Sequence, residues 1–365
     1  MKIRIVSSII LLINLTVTAY NQDQNQTHEK PNIILIMGDD MGFSDLGCFG
    51  SEIKTPNIDY LARQGIRFQQ FYNMAKCSPT RSTMLTGLYG RYEQSVPVSR
   101  LLSDAGYRTI MCGKNHMVPS IPNAENFGAA AFERSLTFLG SNPYFFDKDD
   151  ESPFYINGEK IAISEMEISR QPFFKTDVFT DYAIRWVEEA VSNDKPFFLY
   201  MPYHIAHFPI QARPEDIAKY RGRYMEGYDR LRQKRFEKMK REGVVPPDCK
   251  LSPAEDFLHN GKGKYNSKED DPEWRDNLWR YHPWESLSPE KQDELDLEMA
   301  VFAGMIDRMD QNIGRIIATL RQLGQLDNTL IIYLSDNGAE AQDYNVSLDL
   351  PPGHPDSHRS MHAVW

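Results

Sequence analysis

Cysteine is scarce in this chain, and an excess of positive charge is absent. Four cysteines among 365 residues exclude a disulfide-rich scaffold. Lysine and arginine number 41 against 51 aspartates and glutamates, and the net charge of −10 argues against a nucleic-acid-binding protein as a whole. With 41% hydrophobic and 25% charged residues, the composition is that of an ordinary globular protein.

The first residues have the pattern of a secretory signal peptide. Two basic residues precede an apolar run from Ile5 to Leu15, which is too short for a membrane-spanning helix. The small residues of 16–19 then offer a cleavage site. We predict a signal peptide over residues 1–19, a polar lead-in over 20–30, and an exported protein, periplasmic or secreted. No stable membrane anchor is predicted, and an uncleaved anchor is the less favoured alternative.

Four apolar segments of strand length are each followed by polar side chains. Continuous apolar runs of this kind are typical of parallel strands that are buried on both faces. Ligands bind outside the carboxyl ends of such strands, so the polar residues there are candidates for a functional site. The segments are 32–37, followed by Asp39 and Asp40; 108–112, followed by Lys114 and His116; 196–201, followed by His204 and His207; and 329–334, followed by Asp336 and Asn337.

Helical patterns lie between these strands, over 55–65, 98–105, 176–191 and about 289–323. The longest of them has an apolar face made of Met299, Phe302, Met305, Met309, Ile313, Ile316 and Leu320. Alternation of strands and helices predicts the α/β class, with three α/β/α layers and a mostly parallel central sheet. A chain of 365 residues is long enough for one such domain.

Cys77 opens the most informative segment of the chain. The segment reads Cys77-Ser78-Pro79-Thr80-Arg81 and is followed by Leu85-Thr86-Gly87. It resembles the signature of the sulfatase family, in which a maturation enzyme oxidises this cysteine to formylglycine. The aldehyde of formylglycine can hydrate to a geminal diol, which offers a nucleophilic hydroxyl. From the residues alone, the alternative is that Cys77 is a small buried hydrophobe.

A helix is predicted from about Pro79 to Leu88, with Cys77 just before it. The free amides and the dipole of a helix N-terminus favour negative charge. That position suits a group that becomes an anionic sulfate ester.

Asp39, Asp40, Asp336 and Asn337 carry hard oxygen donors, which suit Ca²⁺ or Mg²⁺ and not a thiolate zinc site. Either pair alone is more often a turn or a helix cap. The family resemblance implies that these four residues bind a divalent cation, usually calcium, with magnesium possible. It also implies that an oxygen of the modified Cys77 joins the metal site.

The resemblance extends to the residues around the sulfate. The sequence G-K-N-H that contains Lys114 and His116 is similar to the family's G-K-x-H, in which the lysine binds sulfate and the histidine contacts the formylglycine hydrate. Arg81 matches the arginine that stabilises the hydrate and the metal site. His207, followed by Phe-Pro, is similar to the substrate-binding histidine near the leaving-group oxygen, and His204 is the less favoured register.

The end of the chain departs from the family pattern. Sulfatases continue past the Asp-Asn-Gly element with a second lysine and a smaller C-terminal subdomain. Residues 339–365 contain no lysine, and Arg359 is their single arginine. We therefore expect residues 31–365 to be a C-terminally truncated, alkaline-phosphatase-like catalytic domain whose C-terminal subdomain is largely missing. Such a domain should expose apolar surface on its sheet or on a helix.

Three functional hypotheses follow. The first is an arylsulfatase-like sulfuric ester hydrolase that acts on a sulfated small molecule or glycan, with Cys77, Arg81, Lys114, His116 and His207 as its catalytic residues. The second is a phosphate or phosphonate monoester hydrolase of the same superfamily. The third is an inactive truncated chain that only binds sulfated ligands.

Two further stretches are expected to have structural roles. The basic stretch 211–253 is most simply a solvated helix, with attraction of an anionic substrate as the alternative. An aromatic-rich segment is more simply explained by packing than by stacking on a sugar or aryl group. Its aromatic residues are Trp274, Trp279, Tyr281 and Trp284.

Overall fold

A computed structural model of the chain describes residues 30–139, 144–146, 153–252, 283–339 and 350–355. The predicted signal peptide and nearly all of the polar lead-in lie outside the described residues. The same holds for Trp274, Trp279, Tyr281 and Arg359.

The described strands are β1 (Asn32–Gly38), β2 (Arg108–Asn115), β3 (Arg134–Leu139), β4 (Phe154–Ile156), β5 (Glu159–Ile161), β6 (Phe197–Pro202) and β7 (Thr329–Ser335). The described helices are α1 (Pro56–Gln64), α2 (Cys77–Thr86), α3 (Val98–Asp104), α4 (Phe127–Ala131), α5 (Lys175–Ser192), α6 (Pro214–Ile217), α7 (Tyr228–Arg241) and α8 (Pro289–Gln322). All four predicted strands and all the predicted helices are therefore present.

The strands form one sheet in the order β5-β4-β3-β2-β6-β1-β7. The pairs β3–β2, β2–β6, β6–β1 and β1–β7 are parallel. At the other end of the sheet, β4 pairs antiparallel with β3, and β5 pairs antiparallel with β4. The prediction of a mostly parallel sheet is confirmed. The carboxyl ends of β1, β2, β6 and β7 consequently meet at one edge of the sheet.

Both faces of the sheet are covered at the central strand β1. In β1, Ile34 and Ile36 pack into the larger apolar cluster with α5 and α8, whereas Leu35 and Met37 pack into a second cluster with α2 and α4. Alternate side chains of a strand point to opposite faces, so these two clusters are the interfaces of a three-layer α/β/α arrangement.

Helix α8 is the main support of one layer. It begins after Ser288, whose Oγ accepts a hydrogen bond from the backbone N–H of Lys291, and Pro289 occupies the first turn. Every member of the predicted apolar face is buried. Asp310 accepts hydrogen bonds from the backbone amides of Asn57 and Ile58 and thereby fixes the start of α1.

The start of α2 differs from the prediction. The helix begins at Cys77 itself, two residues earlier than expected, and ends at Thr86 before Gly87, which has a φ of 71°. Lys76 is extended and its carbonyl accepts the first helical hydrogen bond, from Thr80. Proline is tolerated at Pro79 because the first turn of a helix does not use its N–H groups.

Two further expectations can be compared with the structure. On β7, Leu330 and Ile332 are 53% and 40% exposed, in agreement with the predicted apolar surface on the sheet. Trp284 is buried and packs edge-on against Tyr228, as the packing interpretation predicted.

Among the described helices, none combines the length and apolar character needed to cross a membrane.

The basic stretch is only partly a solvated helix. Most charged side chains of α7 are exposed or half-buried, but Arg235 is buried and forms ion pairs with Asp45 and Glu52. This arginine fixes α7 to the segment that follows β1, which composition alone did not indicate.

Candidate active site

Three carboxylates meet where β1 and β7 end, and we call Asp39, Asp40 and Asp336 the acidic cluster. Gly38 of β1 is in register with Ser335 of β7, so the residues that follow them lie side by side. One carboxylate oxygen from each of the three residues lies within 4.8 Å of the other two. The backbone N–H of Asp40 donates to Oδ1 of Asp336 over 3.3 Å.

Arg81 ties two members of the acidic cluster together. Its Nη2 lies 2.9 Å from Oδ1 of Asp39 and 2.6 Å from Oδ2 of Asp336, and its Nε donates to the same Asp336 oxygen over 3.0 Å. Residues four apart on a helix share a face, so Arg81 and Cys77 point toward the same side of α2. The guanidinium is completely buried, and burial opposes its charge while the two carboxylates raise its pKa.

Lys114 is the second cation of the site. It lies near the end of β2, and its Nζ is 2.6 Å from Oδ2 of Asp39. The preceding Gly113 has a φ of 144°, and a Cβ there would lie 2.1 Å from the carbonyl oxygen of Pro202. Only glycine therefore lets β2 approach β6 so closely at this point.

The acidic cluster carries more negative charge than its two cations balance. Burial disfavours the charge of Asp39, but Lys114 and Arg81 outweigh burial and hold the pKa of Asp39 well below its usual range. For Asp336, burial raises the pKa to about 7, and the charge of Asp39 adds to this effect. Three carboxylates facing Arg81 and Lys114 leave room for a further positive charge.

Asn337 lies next to the same cluster. Its Nδ2 donates to Oδ1 of Asp40 over 2.6 Å. Rotation of this amide by 180° would present its oxygen instead of its nitrogen. All four predicted metal ligands from the ends of β1 and β7 are thus in one place.

Cys77 lies against His116. Its Sγ is 3.3 Å from Nδ1 of the imidazole. Burial raises the pKa of the thiol, and burial together with Lys114 and Arg81 lowers the pKa of His116 to about 4. Both groups are therefore neutral near pH 7, so the unmodified thiol is not activated as a thiolate nucleophile.

His204 and His207 follow β6 on the other side of the acidic cluster. Nε2 of His207 lies 3.7 Å from Oδ2 of Asp40, and its Nδ1 lies 2.7 Å from the carbonyl oxygen of Phe208. His204 is more deeply buried, with Nε2 3.8 Å from Oδ2 of Asp39. Burial lowers the pKa of His207 to about 4 and that of His204 well below its usual range.

The structure brings every predicted site residue to this edge of the sheet. Sequence reasoning missed Lys175, which is completely buried at the start of α5 and has its Nζ over the rings of Phe138 and Phe145. The only signal was a lysine directly after the apolar pair Phe173-Phe174, and such a lysine usually reaches solvent.

Two curated proteins that the chain resembles are sulfatases. The chain is 31% identical over 350 residues to an uncharacterized sulfatase of Schizosaccharomyces pombe, with 86% of this chain and 58% of that protein covered. It is 29% identical over 346 residues to the arylsulfatase of Klebsiella aerogenes, with 85% and 67% covered.

A solved structure has the same fold. The crystal structure of Ps i-CgsB in complex with k-i-k-neocarrahexaose is 25% identical and superimposes with a TM-score of 0.57. The match covers 85% of this chain and 59% of that one. The present chain therefore spans about three fifths of the length of the relatives that it resembles.

The family model described as Sulfatase matches residues 31–362, which is nearly the whole chain after the predicted lead-in. Cys77 and the polar residues at the strand ends lie within this range. The chain belongs to the sulfatase family.

Proposed function

We propose that the chain hydrolyses a sulfate ester, R–O–SO₃⁻, to an alcohol and inorganic sulfate at Cys77. The observation that carries the proposal is the position of this residue. It begins α2, contacts His116, and lies one helical turn from the arginine that binds the acidic cluster. Membership of the sulfatase family supports the same reaction.

Cys77 would act after conversion to formylglycine. Maturation is a two-electron oxidation that replaces the thiol by a carbonyl oxygen, so it requires an oxidant and a maturation enzyme. Water then adds to the aldehyde to give a geminal diol. Burial raises the pKa of the thiol, so the unmodified side chain is a poor nucleophile, and the resemblance of its sequence to the sulfatase signature supports the conversion.

The two hydroxyls of the diol have different tasks. The first loses its proton and bonds to sulfur, while the bond from sulfur to the bridging oxygen breaks and the alcohol leaves with a proton. The second hydroxyl then gives up its proton, the carbonyl re-forms, and sulfate departs. Serine could not complete this cycle, since it has one hydroxyl only.

The surrounding side chains suit these steps. An ammonium has three N–H groups, so Lys114 can keep its bond to Asp39 and still donate to a sulfate oxygen. His116 is neutral and touches Cys77, and it can accept the proton of the second hydroxyl. His207 would lie beside the leaving-group oxygen and protonate it, because a bound anionic ester favours the charged imidazole.

The acidic cluster fits a hard divalent cation such as Ca²⁺ or Mg²⁺. Its donors are closely spaced carboxylate oxygens whose charge Arg81 and Lys114 do not fully balance. Asp39, Asp40, Asp336 and the amide oxygen of Asn337 would hold the ion, together with an oxygen of the modified Cys77. When bound, such an ion neutralises sulfate oxygens and makes the attacking hydroxyl more acidic.

We expect the substrates to be sulfated carbohydrates or aryl sulfates. The Klebsiella relative is an arylsulfatase, and the solved relative binds an oligosaccharide. We also propose that the chain is exported, because the first residues resemble a signal peptide.

The test is an assay of protein that was produced with a maturation enzyme and shown by mass spectrometry to contain formylglycine. Release of sulfate from 4-nitrophenyl sulfate and from a sulfated oligosaccharide is expected with Ca²⁺ present. Cys77→Ala should abolish release, whereas Cys249→Ala, which changes a half-buried free cysteine on another part of the chain, should not. Faster release of phosphate from 4-nitrophenyl phosphate would favour the phosphomonoesterase hypothesis, and binding without turnover would favour the non-enzymatic one.

A further inference from the structure

Four aromatic rings stack beside the acidic cluster, in the order Phe145, His204, His207 and Phe208, and we call them the ring column. Their centroids are 5.1, 4.7 and 4.6 Å apart, and their planes are inclined by 16°, 29° and 25°. Offset stacking at such distances is favourable and depends on orientation. The plane of each ring is therefore set partly by its neighbours.

The inner end of the column is held in place. Phe145 is completely buried, and the ammonium of Lys175 lies 4.7 Å from its centroid and 4.3 Å from that of Phe138. Phe138 also contacts His204 from the side, at 5.2 Å between centroids. His204 itself is only 3% exposed, so its ring is enclosed by aromatic neighbours.

The outer end reaches the candidate active site. The loop that carries the two histidines is bound to Asp39 by a pair of backbone hydrogen bonds of 2.6 Å each, from Asp39 to Ile205 and from Ala206 to Asp39. In His207, Nδ1 donates to the carbonyl of Phe208, which leaves Nε2 to face the reaction site. The side chain of His207 is 20% exposed, so most of its ring lies against protein atoms and not against solvent.

We propose that His204 is a positioning residue for His207. Its flat ring holds the plane of the His207 imidazole so that Nε2 faces the leaving-group oxygen of the sulfate ester. The role requires an aromatic surface and not a titrating group. This inference rests on the proposed function, since the leaving-group oxygen belongs to that reaction.

The first test compares His204→Leu, which keeps volume but removes the ring, with His204→Phe, which keeps the ring. Kinetics are measured on sulfate esters whose alcohols range from 4-nitrophenol to an alkyl alcohol. A misplaced His207 should slow kcat for the alkyl ester by about 10- to 100-fold, a part of what general acid catalysis supplies. The 4-nitrophenyl ester needs little protonation and should lose much less.

His204→Phe should behave like the formylglycine-bearing wild-type chain on both kinds of ester. The matched control is Phe154→Leu, which removes a buried ring that packs against Phe138 without joining the ring column. It should lower stability without changing the ratio of the two rates. An equal loss on both esters in His204→Leu, or no loss, would overturn the inference.

The second test needs no turnover. Long-range ¹H–¹⁵N correlation spectra of histidine-labelled protein report which ring nitrogen carries the proton, and His207→Gln assigns the signal. In the unmodified chain and in His204→Phe, His207 should show a single tautomer protonated at Nδ1. In His204→Leu the two tautomers should average.

The two tests separate the inference from the function on which it rests. Formylglycine-bearing protein that hydrolyses no sulfate ester would refute the proposed function, while the spectra would still examine the ring column. Activity of the formylglycine-bearing wild-type chain together with a fixed Nδ1 tautomer in His204→Leu would refute the role of His204 alone.

Discussion

Arg81→Met is the substitution that most directly probes how the acidic cluster is held together. Arg81 is completely buried and forms three hydrogen bonds to Asp39 and Asp336. Methionine fills much of the same volume but carries no charge. Asp39 would keep the ammonium of Lys114, whereas Asp336 would lose both of its bonds to the guanidinium.

The structure sets the expected size of the effect. Removal of one partner of a buried ion pair costs about 3–5 kcal/mol of stability. Burial already raises the pKa of Asp336 to about 7, so the isolated carboxyl can take up a proton. We therefore expect a loss near the lower limit, about 3 kcal/mol. Arg81→Lys keeps the charge but cannot span both carboxylates, and should lose about 2 kcal/mol.

Urea denaturation in EDTA, followed by tryptophan fluorescence and circular dichroism, measures these losses. The control is Arg170→Met, because Arg170 and Glu215 form an ion pair with side chains 51% and 48% exposed. Such pairs contribute about 0–1 kcal/mol. Saturating Ca²⁺ should reduce the deficit of Arg81→Met by supplying positive charge to the same carboxylates. If Arg81→Met unfolded at the same urea concentration as the wild-type chain, the described ion pairs would be refuted.

Three other predictions concern metal binding, packing and pH. Ca²⁺ at 100 times its Kd should stabilise the chain by about 2.7 kcal/mol, and Asp40→Asn should lose most of this stabilisation. If Ca²⁺ raised the thermal midpoint of Asp40→Asn as much as that of the wild-type chain, the ion would bind elsewhere. Gly113→Ala should cost about 3 kcal/mol or more, because its Cβ would lie 2.1 Å from the Pro202 carbonyl oxygen; a soluble variant with an unchanged urea midpoint would contradict that contact. Burial raises the pKa of Asp310 to about 6, above the ~3.9 of an unfolded aspartate. The native state therefore binds this proton more tightly, and its contribution to stability falls as pH rises from about 4 to about 6. In Asp310→Asn the unfolding free energy should no longer fall between these pH values. If the unfolding free energy of the variant and of the wild-type chain fell in parallel, the fall would belong to other groups.

Most of the fold could be predicted because its strands and helices have strong local patterns. Buried parallel strands require unbroken apolar runs, so β1, β2, β6 and β7 are evident from their residues. The polar residues after these runs predict the site, since parallel strands that share a sheet end at the same edge. The apolar face of α8 follows from helical periodicity.

Other features depend on contacts between distant segments. The three-residue strands β4 and β5 are too short to have a pattern of their own. Lys175 reads as a surface lysine because lysine is almost never fully buried, and the sequence does not reveal that its ammonium lies over the rings of Phe138 and Phe145. The proposed role of His204 could not be predicted from the sequence, because its stacking partner Phe145 lies 59 positions earlier in the chain.

The central claim is that Cys77 acts as formylglycine. Mass spectrometry of the tryptic peptide that contains Cys77, taken from protein made in a host able to mature sulfatases, tests this claim most directly. We expect the peptide to carry the aldehyde in place of the thiol, with an abundance that scales with sulfate release. Detection of only unmodified cysteine, in protein that nevertheless hydrolyses sulfate esters, would show that Cys77 does not act as formylglycine.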